Sequence, residues 1–126
     1  MSYGITFNFP QELLNGLHNI GADVFKMALY SVELDQTLAA YTSTNEIVGG
    51  SYVAGGQQID IATEVSGNTT SVVIANEEFA IPTGVAAVLI YNETSAGRSM
   101  FVGKVGVNTG GTLTIKFTQP LIRLTV

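Results

Sequence analysis

Apolar and polar positions alternate with a period of two over much of this chain, the mark of half-buried β-strands. Gln57 to Thr63 sets Ile59 and Ile61 on one face and Gln58, Asp60 and Ala62 on the other. Thr112 to Thr118 sets Leu113, Ile115 and Phe117 against Thr114 and Lys116, and Leu121 to Val126 sets Ile122, Leu124 and Val126 against Arg123 and Thr125. Val24 to Ser31 and Ser99 to Val107 also read as strands. Thr69 to Ala75 and Val85 to Tyr91 are nearly continuous apolar runs, which predicts strands covered on both faces. Turn signals separate the strands: Gly49-Gly50, Gly55-Gly56, Ser66-Gly67-Asn68, Pro82-Thr83-Gly84, Ser95-Ala96-Gly97 and Gly110-Gly111. Roughly six to eight strands at this spacing predict a mostly β fold, an antiparallel β-sandwich; a jelly-roll-like connection is compatible with it, but the strand pattern does not determine the topology.

The N-terminus has a different period. Leu13, Leu14, Leu17 and Ile20 share one face of a short helix, with Asn8 placed to cap it, Pro10 in the first turn, Gln11 completing a capping box and Gly21 as the stop. A helix of about ten residues is not stable alone and must pack on something. The 126 residues therefore predict one domain, with residues 1–23 as a strand and helix arm and 24–126 as the sandwich. Val32 to Ala54 is the largest irregular region, too long for a passive connection, and is expected to be a folded excursion or a binding surface.

Composition narrows the function classes. Charged residues are only 12% of the chain against 46% apolar, the balance of an interface core or of a hydroxyl-rich surface soluble without charge. The net charge is −5, and Lys26, Arg98, Lys104, Lys116 and Arg123 are scattered, too few to neutralise the phosphates of a nucleic acid. No nucleic-acid partner is expected. No apolar run approaches the ~20 residues of a membrane span, and the first residues lack a basic segment followed by an apolar core, so neither a membrane partner nor a secretory signal is expected. There are no cysteines, which removes thiol chemistry and cysteine-bound zinc.

Candidate chemistry is sparse. His18, the sole histidine, has no partner at local spacing and reads as a partly exposed polar residue. Glu33, Asp35 and Glu46 in the irregular region are oxygen donors of the kind calcium takes, without EF-hand spacing, so they read as solvated acids. Glu77 and Glu78 are adjacent, point to opposite faces of a strand, and read as turn or edge charges. The glycine pairs lack a phosphate-loop pattern. No catalytic residue, cofactor or metal is expected, and an enzyme is the least favoured class. Of three tyrosines spaced eleven apart, Tyr30 reads as core, and Tyr41 and Tyr52 as candidates for a protein interface.

The stretch FKMALYSVELDQTLAAYTSTNEIVGGSYVAGGQ, Phe25 to Gln57, carries the strongest signal. Its Lys26, Ala28, Leu29, Tyr30, Leu34, Asp35, Tyr41, Thr42, Thr44, Asn45, Glu46, Gly50, Tyr52, Gly55 and Gly56 resemble a pattern shared by small virion structural proteins of tailed phages. Val88 to Val105, VLIYNETSAGRSMFVGKV, resembles a later strand of that group, so the likeness extends over about two thirds of the chain. The resemblance implies a capsid decoration (cement) protein in the virion, assembled in the host cytoplasm. It would contact the major capsid protein and copies of itself as a homo-dimer or homo-trimer. Tyr41, Tyr52, Leu34, Asp35, Glu46, Leu13, Leu14 and Leu17 are the candidate interface residues. The alternative is a receptor- or carbohydrate-binding β-sandwich module of a phage fibre, which exposed aromatic residues around one loop cluster would favour.

Overall fold

The computed structural model describes residues 3–49, 52–80, 84–105, 113–117 and 120–125. Its elements in chain order are β1 (Gly4–Ile5), α1 (Phe9–Leu14), β2 (Phe25–Tyr30), β3 (Gln57–Gln58), β4 (Ile61–Ser66), β5 (Thr69–Ile74), β6 (Glu77–Phe79), β7 (Ala87–Asn92), β8 (Arg98–Lys104), β9 (Leu113–Ile115) and β10 (Ile122–Thr125). The chain is mostly β, in antiparallel sheets with one short helix, a β-sandwich-like arrangement as the alternation predicts. A central sheet has the order β1-β8-β7-β2-β3, a second has β10-β5-β4, and β6 and β9 form a ribbon.

The central sheet is buried on both faces. Phe25, Met27 and Leu29 of β2, Val88 and Ile90 of β7, and Met100 of β8 face the main core, where they meet Val72 and Ile74 of β5 and Phe79 of β6. Ala28 and Tyr30 of β2, Ala87, Leu89 and Tyr91 of β7, and Val102 of β8 form a second core with Leu34, against which Leu38 and Tyr41 pack. All six residues of β7 are buried, so the continuous apolar run from Val85 to Tyr91 is a doubly covered strand. The β7–β8 register shifts between Ile90 and Tyr91, where Ile90 pairs with Phe101 but Tyr91 with Ser99. The inserted Met100 joins the main core, on which Phe101 also packs, and Val102 returns to the second core.

The other apolar run reads differently in the fold. In β5 only Val72 and Ile74 are buried, on one face; Thr70 on that same face is exposed, and Thr69, Ser71 and Val73 on the other face are half-buried, because TTSVVI mixes hydroxyl residues into the run. Leu113, Ile115 and Phe117 all pack against the main core while Lys116 is exposed, as the alternation predicts. Ile122 packs there too, but Leu124 is exposed, and Val126 lies outside the described residues. Of the two readings of Glu77 and Glu78, turn or edge, the edge one fits among the described residues: β6 pairs with β9 through Glu77–Ile115, Glu78–Thr114 and Phe79–Leu113 in a two-stranded ribbon.

The helix is shorter than its periodicity predicts. It ends at Gly16, whose φ of 78° only glycine adopts freely. The Leu17 N–H bonds the Glu12 carbonyl at 2.9 Å and the Gly16 N–H bonds that of Leu13 at 3.2 Å, the paired bonds of a Schellman stop. The chain then turns, so Leu13, Leu14 and Leu17 do not share a buried face: Leu13 is half-buried, Leu14 is 86% exposed and Leu17 is 38% exposed. The anchor is Phe9, fully inside the main core. Asn8 stands at the N-cap, as its place before Phe9 and Pro10 predicts, but its side chain makes no cap bond; it bonds Glu12 at 2.8 Å and the Ser99 hydroxyl at 3.1 Å instead.

Candidate functional site

The irregular region lies across the second face of the central sheet and is fastened at both of its edges. Beside β8, the Tyr41 N–H bonds the Gly97 carbonyl at 2.8 Å and the Ser99 N–H bonds that of Ala39 at 3.0 Å. Beside β2, the Ser31 N–H bonds the Asn45 carbonyl at 2.9 Å and the Ile47 N–H bonds that of Leu29 at 2.9 Å, so Asn45–Ile47 continues the edge that β3 occupies further along. Asn45 takes a left-handed φ of 61°, which asparagine tolerates better than most residues. At Gly56 the backbone comes so near β2 that a Cβ would lie 1.8 Å from the Met27 carbonyl oxygen, so no other residue fits there.

Glu46 fastens this layer from inside. It is buried to 7% exposure at the sheet edge, between the two cores. The Tyr41 hydroxyl, from the second core, donates to its Oε1 at 2.5 Å. The Tyr52 hydroxyl, from the main core, donates to its Oε2, and the Gly55 N–H donates to the same oxygen at 2.7 Å. A carboxylate with three donors is well satisfied although it is buried. Tyr52 also accepts the Leu29 N–H at 3.1 Å, Tyr91 donates to the Gly55 carbonyl at 2.6 Å, and Tyr30 donates to the Thr42 carbonyl at 2.7 Å. The rings of Tyr41 and Tyr91 are 4.8 Å apart at their centres. Burial raises the phenol of Tyr41 to about 12, and its bond to Glu46 adds to the shift. Burial raises Tyr91 to about 12 as well, with the charges of Glu93 and Glu46 adding. Tyr30 and Tyr52 are pushed higher still, first by burial.

Much of the segment from Phe25 to Gln57 therefore has a mechanical meaning in this fold. Tyr30, Tyr41, Thr42, Asn45, Glu46, Tyr52, Gly55 and Gly56 fasten the irregular region to the sheet. Gly50 lies outside the described residues. Several of the interface candidates turn inward within the chain. Leu34 and Glu46 are buried, and Tyr41 and Tyr52 are half-buried with their hydroxyls turned inward, because the carboxylate and the peptide groups they satisfy lie inside. Asp35 is half-buried and accepts the Thr37 N–H at 3.2 Å, while Glu33 is exposed and pairs with Lys104 at 3.4 Å. Glu33, Asp35 and Glu46 thus serve three separate structures. The layer's exposed residues include two large apolar ones, Val48 at 94% and Val53 at 71%, besides the polar Thr37, Ser43, Thr44 and Asn45.

His18 is buried, not partly exposed. It sits between Phe9, with ring centres 4.6 Å apart, and Phe25, at 6.1 Å. Its Nε2 is 2.9 Å from Glu12 Oε1 and its Nδ1 is 3.1 Å from the Asn92 amide, which also donates to Asp23 at 2.8 Å. The Asn92 bond, then the Asn19 N–H, holds the Asp23 carboxyl below its usual range. This network ties the turn after the helix to the end of β7. Sequence reasoning missed it because Glu12 reaches His18 only through the turn at Gly16, and Asn92 reaches His18 and Asp23 only through the sheet.

No family model, curated protein or solved structure matches the chain.

Proposed function

We propose that the chain is a virion structural protein of a tailed phage, a capsid decoration (cement) protein that stabilises the shell through protein–protein contacts. The observation that carries the reading is the fastened apolar loop. Val48 and Val53 stand exposed on a segment whose base is held by Glu46, the surrounding tyrosines and Gly56. A rigid scaffold presenting apolar loop residues loses little conformational entropy when it docks. The low charge density favours the same role, and repetition around a shell multiplies weak contacts into avidity.

The major capsid protein is the partner in this reading, and the protein resides in the virion after assembly in the host cytoplasm. Nucleic acid is disfavoured as a partner, since Lys26 faces Glu93 at 2.6 Å, Lys104 faces Glu33 and Arg98 lies 3.7 Å from Glu12. A sugar-binding fibre module would need exposed aromatic faces, and Phe7 is the one exposed aromatic among the described residues.

The test is binding to capsids that lack the protein. Val48→Asp and Val53→Asp, at exposed positions, are expected to lower occupancy by about tenfold or more while leaving the melting temperature unchanged. Unchanged occupancy in both variants would remove the loop from the contact. No binding of the wild-type protein to shells would overturn the reading.

A further inference from the structure

The two outer strands of the three-stranded sheet are longer than those of the central sheet, which ends in the two-residue strands β1 and β3. Among the described residues nothing pairs with the free side of β4 or of β10. Both are regular, β4 matching β5 over six consecutive residue pairs and β10 over four, with no bulge or proline to discourage strand addition. One row across the sheet runs Glu64–Ser71–Arg123 and the next runs Val65–Thr70–Leu124. Glu64 and Arg123 share the outward face, two strands apart, so their backbones are about 10 Å apart. Both are exposed, and neither has an ion-pair partner among the described residues. On the opposite face, Val65 is 74% exposed and Leu124 is 62% exposed.

We propose that these edges are the two halves of one self-association contact. In it, β10 of one copy pairs in parallel with β4 of the next, setting Arg123 beside the next copy's Glu64 and Leu124 beside its Val65. Both strands run antiparallel to β5 and hence parallel to each other, so one register satisfies the charged row and the apolar row together. That double match, acid to base on one face and apolar to apolar on the other, selects a second copy as the occupant. The contact is head-to-tail. It closes into a ring, such as a trimer, if the rotation between copies allows, and otherwise propagates. The sheet hydrogen bonds supply adhesion and the side-chain rows supply register.

The inference deepens the self-association part of the proposed function, but its test uses isolated protein without shells, so the two fail separately. Sedimentation at low salt is expected to show oligomers for the wild type. Glu64→Arg alone and Arg123→Glu alone should each weaken association by about tenfold or more, since like charges then face each other. The double variant, carrying Glu64→Arg and Arg123→Glu, should recover most of the wild-type affinity. Circular dichroism should show all three folded, because both positions are exposed. Single reversals without effect, or a double variant no better than the singles, would overturn the register. A wild type that stays monomeric yet needs Glu64 and Arg123 to bind shells would give the edges to a shell protein and overturn the second copy as occupant.

Discussion

The central sheet and the three-stranded sheet are both antiparallel, yet they differ in how much of their faces and edges is covered. The central sheet has both faces buried, and the irregular region runs beside β8 at one edge and beside β2 at the other. The three-stranded sheet buries part of one face and, among the described residues, leaves two regular edges unpaired, with five of the six residues of β4 exposed. The first sheet is where stability resides. The second contributes little to the core at its far end and has surface to spare for association.

The sharpest test of that contrast is a pair of truncations. Ile90→Ala, in the doubly covered β7, is expected to cost about 2–5 kcal/mol in denaturant unfolding. Leu124→Ala, at the open edge, should stay within about 0.5 kcal/mol for the monomer. Similar costs at both sites would erase the distinction.

Next in size is Glu46→Gln. It keeps the shape but places an amide donor where one of three donors needs an acceptor, and should cost about 2–3 kcal/mol. Hydrogen exchange should show Asn45–Ile47 loosening first while β7 stays protected. Uniform loss across the sheet would mean that the layer and the sheet open as one unit.

Tyr41→Phe and Tyr52→Phe should cost about 1–2 kcal/mol each. Tyr52 should be the costlier, because its hydroxyl also accepts the Leu29 N–H. The reverse order, read from urea midpoints, would place the main restraint on the second-core side.

Alkaline pH probes the same layer most gently. A phenol that ionises near 10 in the unfolded chain but near 12 in the fold holds its proton more tightly when folded. The contribution of Tyr41 and Tyr91 to stability is therefore full below about pH 10 and is lost as pH rises through about 12. Tyrosinate absorbance should lag behind that of a free phenol and then appear together with loss of tertiary structure. Titration of both tyrosines near 10 with the fold intact would show the layer to be solvent-open.

Individual strands were legible because a period of two survives any topology. The run from Val85 to Tyr91 announced a doubly covered strand, and Leu113, Ile115 and Phe117 announced one packed face. The helix announced its start but not its end: Gly16 interrupts a pattern that continues through Leu17 and Ile20, and periodicity does not register a left-handed residue within it. Of the candidate site, Tyr41, Glu46 and Tyr52 stood out in the sequence as interface candidates, but their hydrogen bonds to one another were not legible there.

The alternation of side chains thus specified antiparallel strands, their turns and a mostly β fold, since those depend on neighbours along the chain. Tertiary structure alone decided which faces are covered, which edges stay open, and where polar groups find partners. Glu46 became an internal fastener because tyrosines from two cores meet at one sheet edge. His18 was buried because Glu12 and Asn92, far apart in sequence, satisfy both of its nitrogens. Burial and hydrogen-bond satisfaction depend on contacts between distant segments, and no local pattern carries them.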